Sequence, residues 1–296
     1  MLLCRPSVSS ADEARDTGVG ERIHHGPGEP RIEASAVTKA PPAAYERHVG
    51  RYGPELAAGM IGVAGLRRGQ RALDVGCGPG VLATGLAALL GAANVAAVDP
   101  SEAFVETCRA RAPGVDVRVG VAETLPFGDR TFDAVLAQLV VDGMEDAHTG
   151  AAEMRRVTRP GGVLVACVWD FDGGMPLLNT MWDAALALDA DHARSFGAEK
   201  RLPFSRPGEL EDLWRGAGLQ DVRLGELVAG ADYTGLEDLW APFEAGVGNL
   251  GKLVLSLDGP GRERLKNGVA SRLGIRDDSF RLTARAIYAA GSVPAD

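Results

Sequence analysis

The sequence predicts an α/β fold: a doubly wound, mostly parallel sheet of seven strands with helices on both faces. Three observations predict it. Strand and helix signals alternate from Arg71 to Trp169, a glycine loop (Gly76-Cys77-Gly78-Pro79-Gly80) follows the first strand, and an acid, Asp99, ends the second. The chain has 296 residues, enough to bury a core without disulfide or metal staples. Hydrophobic residues are 46% and charged residues 24%, the balance expected of an ordinary soluble globular protein.

Residues 1–43 are poor in large apolar side chains and hold Pro27, Pro30, Pro41 and Pro42, so a disordered leader is expected before one domain over 44–296. A helical pattern covers 45–66, and a strand at 71–75 runs into the glycine loop. A helix follows at 82–90, with Gly91 just past its end. Residues 95–98 read as a short apolar strand, and Ser101 as the N-cap of a helix over 102–112. A third strand is expected at 115–119 and a fourth at 132–138. A helix over 146–158 closes on the turn Pro160-Gly161-Gly162, and the fifth strand takes 163–169. Residues 81–98 carry no charge and reach the length of a membrane span, but Gly85, Gly91 and Asn94 interrupt them, which favours helix, turn and buried strand. Beyond Asp170 the pattern loosens. Helices are read at 175–188 and 208–216, strands at 219–227 and 282–289, and a mostly helical stretch at 235–274. The core is then 66–170, with helical lid insertions at about 171–205 and 235–274.

The net charge of −9 argues against a partner with a phosphate backbone, which a protein usually meets with a basic face. Four cysteines occur, Cys4, Cys77, Cys108 and Cys167, with no CxxC spacing, so no zinc ribbon and no other metal site is expected. That usage fits a reducing cytoplasm, and the N-terminus MLLCRPS has no apolar run of signal-peptide length.

The glycine loop carries the chemistry. Glycines let the backbone approach a ligand closely, and the helix N-terminus behind them offers free N–H groups and a positive dipole end. Asp99 follows Asp74 by 25 residues, and a carboxylate there accepts from both hydroxyls of a ribose. Two cofactor classes use this geometry. A nicotinamide dinucleotide wants glycines at 76, 78 and 81, but position 81 is Val81. The spacing is GxGxG behind Asp74, whose carboxylate repels a pyrophosphate and suits a cationic α-amino group.

Residues 74–80 resemble motif I of the class I S-adenosylmethionine (SAM) dependent methyltransferases. The resemblance continues through AVDPSEAF (97–104), GVAETLPFGDRTFDAVLAQ (120–138) and EMRRVTRPGGVLVACVWD (153–170), and is to the type 11 family of ubiquinone and menaquinone biosynthesis. It implies a Rossmann-like sheet whose last strand is antiparallel, and SAM as cofactor. It implies that Gly76, Cys77, Gly78 and Gly80 pack against the methionine part; with no base evident beside it, Cys77 reads as a small loop residue rather than a nucleophile. Asp74 then orients the amino group, usually through water or backbone, and Asp99, with Pro100 beside it, holds the ribose. The segment after strand three meets the adenine. Many relatives have an Asp where this chain has Val121, which leaves Ala122 and Glu123, or backbone groups, for that contact. Gln138 is expected near the methyl-bearing sulfur. In similar proteins the pre-domain helix lies over the cofactor; Tyr45, Arg51 and Tyr52 are its candidate contacts, Arg51 on the methionine carboxylate. Alternatively, Tyr45 and Tyr52 only anchor that helix to the core.

Relatives often carry His-His after strand four, a register that holds Asp142 and Gly143 here. Asp142 is therefore the candidate general base, with His148 and Asp170 behind it, although a solvated loop acid explains Asp142 equally well. No Asn/Asp-Pro-Pro-Tyr/Phe motif follows strand four (Leu136-Ala137-Gln138-Leu139), which disfavours methylation of nucleic-acid amino groups. All four tryptophans, Trp169, Trp182, Trp214 and Trp240, lie at or after the end of strand five, joined by Phe171, Met175, Met181, Phe196, Phe204 and Phe243. They suggest an aromatic lid over an apolar pocket, with Trp169, Phe171 and Trp182 nearest the cofactor, although simple helix packing explains any single one of them better. The expected function is methyl transfer from SAM to a small, largely apolar acceptor, in the cytoplasm, without nucleic acid or a membrane span, and with a homodimer allowed. Two alternatives stay open: a SAM-binding protein that transfers no methyl group, and an NAD(P)-dependent oxidoreductase.

Overall fold

The structure is a computed structural model that describes residues 42–295 apart from 201, 205 and 277. Its strands are β1 (Ala72–Val75), β2 (Val95–Asp99), β3 (Asp116–Val119), β4 (Phe132–Gln138), β5 (Thr158–Trp169), β6 (Gln220–Tyr233) and β7 (Phe280–Ser292). They form one sheet in the order β3-β2-β1-β4-β5-β7-β6. β7 runs antiparallel to both of its neighbours, and the remaining pairs are parallel. All residues of β1 and β2 are buried, as befits parallel strands covered on both faces. One face packs against α2 (Gly53–Ala64), α3 (Val81–Leu90), α6 (Pro176–Leu188) and α7 (Ala190–Ser195), with the lid helices α9 (Leu236–Glu244), α10 (Gly248–Ser256) and α11 (Gly259–Leu273). The other face packs against α5 (Ala147–Val157) and α8 (Pro207–Gly216). α4 (Glu102–Arg111) covers β2 and β3, with Val105 and Cys108 against Ala97 and Val117.

The expected leader lies outside the described residues except for Pro42 and Ala43, which open helix α1 (Pro42–Arg47). The helical pattern over 45–66 is broken into α1, a 3-10 turn (Val49–Tyr52) and α2. Pro54 has no N–H to give a helix interior, so it can stand only in a first turn. Gly50 fits where a Cβ would meet the Tyr45 carbonyl and ring at 3.0–3.3 Å.

The stretch 81–98 is α3, a 3-10 turn (Ala92–Asn94) and β2, and no described helix is long and apolar enough to cross a membrane. Ser101 does cap α4, accepting from the Phe104 amide at 3.4 Å. The expected turn Pro160-Gly161-Gly162 is instead part of β5. The Gly161 amide donates to the Val293 carbonyl and the Val293 amide to that of Gly162, so pairing with the end of the chain draws these residues into the sheet. β6 and β7 also run further than their sequence signals. Residues 228–233 and 280–285 pair with each other beyond Trp169, whose partner is Ala286, and this two-stranded arm reaches past the carboxyl edge of β5.

Candidate cofactor and acceptor site

The glycine loop lies at the carboxyl end of β1, clamped by amides of Gly76 and Cys77 that donate to the Val98 carbonyl at 2.8 and 3.0 Å. Gly76 (φ +69°) has no room for a Cβ because the Val140 side chain fills it, and at Gly80 (φ +89°) a Cβ would lie 2.8 Å from the Cys108 sulfur. Gly78 differs. Its φ is +50°, but a Cβ there would meet nothing within 4 Å. Gly76 and Gly80 are therefore glycines that packing requires, whereas Gly78 borders open space. Cys77 is buried, its thiol pushed far up by the hydrogen-bonded Cys108 thiol and by burial, so it is a loop residue without nucleophilic character.

Two acids stand beside this loop. Asp99 is buried, and its oxygens accept from the amides of Gly78 and Ser101, both at 2.9 Å. Burial raises its pKa, and those two amides oppose the shift. Pro100 is exposed just beyond it. Asp74 is only 1% exposed, and neither of its oxygens has a hydrogen-bond partner. Burial pushes its carboxyl up to about 8, against the pull of the Ala83 amide. On the neighbouring strand, Gln138 donates to the Gly53 carbonyl at 3.3 Å, while its Oε1 has no partner. Leu139 follows in a left-handed conformation (φ +59°), a strained turn that ends β4 at this point. Among the described residues, Asp74 Oδ1 and Oδ2 and Gln138 Oε1 are the buried side-chain N or O atoms without a partner. All three sit at the carboxyl edge of adjacent strands, the crevice where open α/β sheets bind ligands.

The segment α1 to α2 roofs this crevice. Tyr45 packs edge-on to Phe104 with centroids 5.6 Å apart. Its phenol is pushed up to about 12, first by burial and then by the nearby charges of Asp142 and Asp99, so it overhangs the cleft. Arg51 does not wait for a ligand carboxylate. Its guanidinium reaches Asp238 at 2.5 and 2.9 Å and the Asp232 carbonyl at 3.0 Å, lying over the Tyr233 ring. Tyr52 is buried edge-on against Trp169, its hydroxyl 3.4 Å from that of Tyr233. Tyr52 thus anchors the roof. His48 was not singled out by the sequence; it is buried edge-on against Phe243 with centroids 4.9 Å apart, and burial lowers its pKa to about 4. The signal that marks it is its spacing of three from Tyr45 in a helical pattern.

Glu123 accepts from the amides of Glu145 and Asp146 at 2.8 and 3.1 Å, so its carboxylate braces the loop before α5. That leaves buried Ala122 and backbone groups for an adenine contact. Of the three candidate bases, Asp170 is locked to Arg285 at 2.5 Å and to the Asp172 amide at 2.9 Å. His148 is exposed on the first turn of α5, its amide bound to the capping Asp146. Asp142 remains, in a 3-10 turn (Val141–Gly143) after β4, with burial raising it to about 6. Trp169, Phe171 and Trp182 share one apolar cluster with Tyr52, Trp240 and Phe243. Trp214 and Phe204 do not join them. They pack on the opposite face of the sheet, Trp214 donating to the Ala289 carbonyl at 3.0 Å.

Residues 73–166 match a family model described as a methyltransferase domain. Over 188 residues the chain is 30% identical to a ubiquinone/menaquinone biosynthesis C-methyltransferase of Desulfotalea psychrophila, covering 58% of this chain and 74% of that one. The chain belongs to the class I SAM-dependent methyltransferases. Other relatives in this family are matched over less of their length: a demethylmenaquinone methyltransferase of Renibacterium salmoninarum is 36% identical over 106 residues, 36% of this chain and 44% of that one. The methyltransferase fold is shared with the YcgJ protein of Bacillus subtilis (TM-score 0.52, 17% identical, 81% of this chain and 98% of that one). It is shared also with phosphoethanolamine N-methyltransferase 2 of Haemonchus contortus (TM-score 0.52, 16% identical, 90% of this chain and 61% of that one).

The family's cofactor fits the residues present. An α-ammonium answers the unpartnered Asp74, a ribose diol the second lone pairs of Asp99, and a ligand chain the open space over Gly78. A dinucleotide pyrophosphate would instead face a buried carboxyl without a counter-charge.

Proposed function

We propose that this methyltransferase moves the methyl group of SAM to a small, largely apolar acceptor bound between the roof and the lid. The observation that carries the reading is the pair of buried acids at the ends of β1 and β2, one of them without any partner, beside a glycine open to solvent space. SAM, when bound, supplies a sulfonium methyl that is already electrophilic. The chain's own task is to position the reactants and exclude water. Asp74 and Asp99 orient the cofactor, and Tyr52, Trp169, Phe171 and Trp182 offer the acceptor an apolar wall. Asp142 takes the proton of an acceptor O–H or N–H; a carboxyl raised to about 6 is mostly ionised at neutral pH yet basic enough to hold that proton. Gln138 Oε1, at the end of β4, is a further acceptor for a polar group of either ligand.

The test is incubation of the chain with methyl-labelled SAM and a panel of small apolar phenols and amines, with S-adenosylhomocysteine as the readout. Turnover with at least one member is expected. Asp142→Asn should then lower kcat by about 10²-fold while leaving cofactor affinity unchanged. Cofactor binding with no turnover across the panel would favour a SAM-binding protein that transfers nothing. The buried free thiols of Cys77, Cys108 and Cys167 support a cytoplasmic setting, and the outer edges of β3 and β6, with no strand beside either among the described residues, are the routes by which a second copy would pair. Sedimentation velocity tests that pairing.

A further inference from the structure

Asp74 can be taken further, on the strength of the SAM reading above. Its surroundings are unusual for an acid. Its partners across the sheet are Ala97 and Leu136, and Ala83, fully buried, lies beneath it on α3. The charged group that bears on it is Asp99 on β2, of like sign, and the Cys77 thiol nearby is held neutral. The Ala83 amide faces it from the first turn of α3 without closing a hydrogen bond. No cation reaches it among the described residues, since Arg51, in the roof above, is bound to Asp238. A lone carboxylate in such a place is costly, so the empty site keeps its proton, in line with a pKa of about 8.

We propose that Asp74 and the α-amino group of the bound nucleoside share one proton fewer than the two groups hold apart, so that each binding event at neutral pH releases a proton. An α-ammonium is largely protonated at neutral pH. It meets a protonated carboxyl, the carboxyl proton leaves to solvent, and a carboxylate–ammonium pair remains. No bond between heavy atoms forms or breaks. Asp99, already held by two amides, stays outside the exchange.

The experiment is calorimetric titration of the full chain with S-adenosylhomocysteine, in phosphate and in Tris, whose ionisation heats differ. The dependence of the observed heat on buffer counts the protons. Nearly one proton released per ligand is expected. Affinity should rise close to tenfold per unit from about pH 6 to about pH 7.5 and level off above about pH 8. Methylthioadenosine, the same nucleoside without the amino-acid arm, should bind with no proton release and a flat pH profile. Asp74→Asn should bind S-adenosylhomocysteine without the release. Should that variant not fold, the comparison of the two ligands on the wild-type chain carries the test. Equal proton release for both ligands, or none for either, overturns the proposal while leaving SAM binding intact. Failure of both ligands to bind the folded chain overturns the SAM reading itself, and the proposal with it.

Discussion

The floor and the roof of the cleft treat their charges in opposite ways. The floor keeps Asp74 buried without a partner and leaves Asp99 two lone pairs beyond its amide bonds. The roof pairs its charges: half-buried Arg51 forks onto Asp238, and the exposed Glu55 accepts from the Gly230 amide at 2.8 Å and pairs with Arg281. The floor is cut from one short stretch of chain, whereas the roof joins residues 187 positions apart. The difference teaches where to look for function. A satisfied ion pair holds the fold together, and an unsatisfied buried acid waits for a ligand, because it can lose its proton only when a ligand's charge offsets its desolvation.

The sharpest way to break this comparison is at the glycines. Gly80→Val forces a branched side chain into a left-handed position against Cys108 and should cost about 3 kcal/mol or more of stability in chemical denaturation. Gly78→Ala carries only the backbone penalty of about 1 kcal/mol, yet places a methyl group in the open cleft and should weaken SAM binding at least tenfold. If Gly78→Ala instead bound SAM normally, the open space would not be the cofactor's.

Next comes the roof. Arg51→Ala should cost about 1–3 kcal/mol of stability through a half-buried bidentate pair, with the SAM dissociation constant nearly unchanged. A large loss of SAM affinity at unaltered stability would return Arg51 to the methionine carboxylate. The same pair sets an acid limit. The Arg51 hydrogen bonds hold Asp238 down at about 2. Its stabilisation is therefore fully present above the ordinary carboxylate range and fades as pH falls from about 4 through about 2. Thermal melts of Asp238→Asn should be flatter than wild type across that window. The smallest effect is reserved for His148→Ala, which removes an exposed ring outside the cleft and should change stability by less than about 0.5 kcal/mol and turnover not at all.

Legibility in the sequence followed distance along the chain. The glycine loop, Asp74, Asp99 and the N-cap Ser101 were readable because neighbours in sequence dictate their geometry. Asp142 was readable only through the resemblance, as the residue standing where relatives carry histidine. The sequence points Arg51 at the cofactor because an arginine near a motif advertises charge but not its partner, and that partner, Asp238, lies on a distant lid helix. Glu123 misled for a similar reason, its oxygen being taken by two amides of a loop more than twenty residues on. Aromatic composition placed Trp214 with the lid, yet its helix covers the far face, and composition carries no information about which face a helix takes.

What the sequence determined by itself is the alternation of strands and helices and the loop that ends β1. These rest on short-range patterns of apolar residues, glycine and caps, which act before any distant contact forms. Tertiary structure alone decided that β6 and β7 outrun the sheet to form an arm, that this arm and α9 tie down the roof, and that Asp74 is left without a partner. Whether a charge is paired or stranded depends on what the rest of the chain brings within about 4 Å of it, and local sequence holds no record of that.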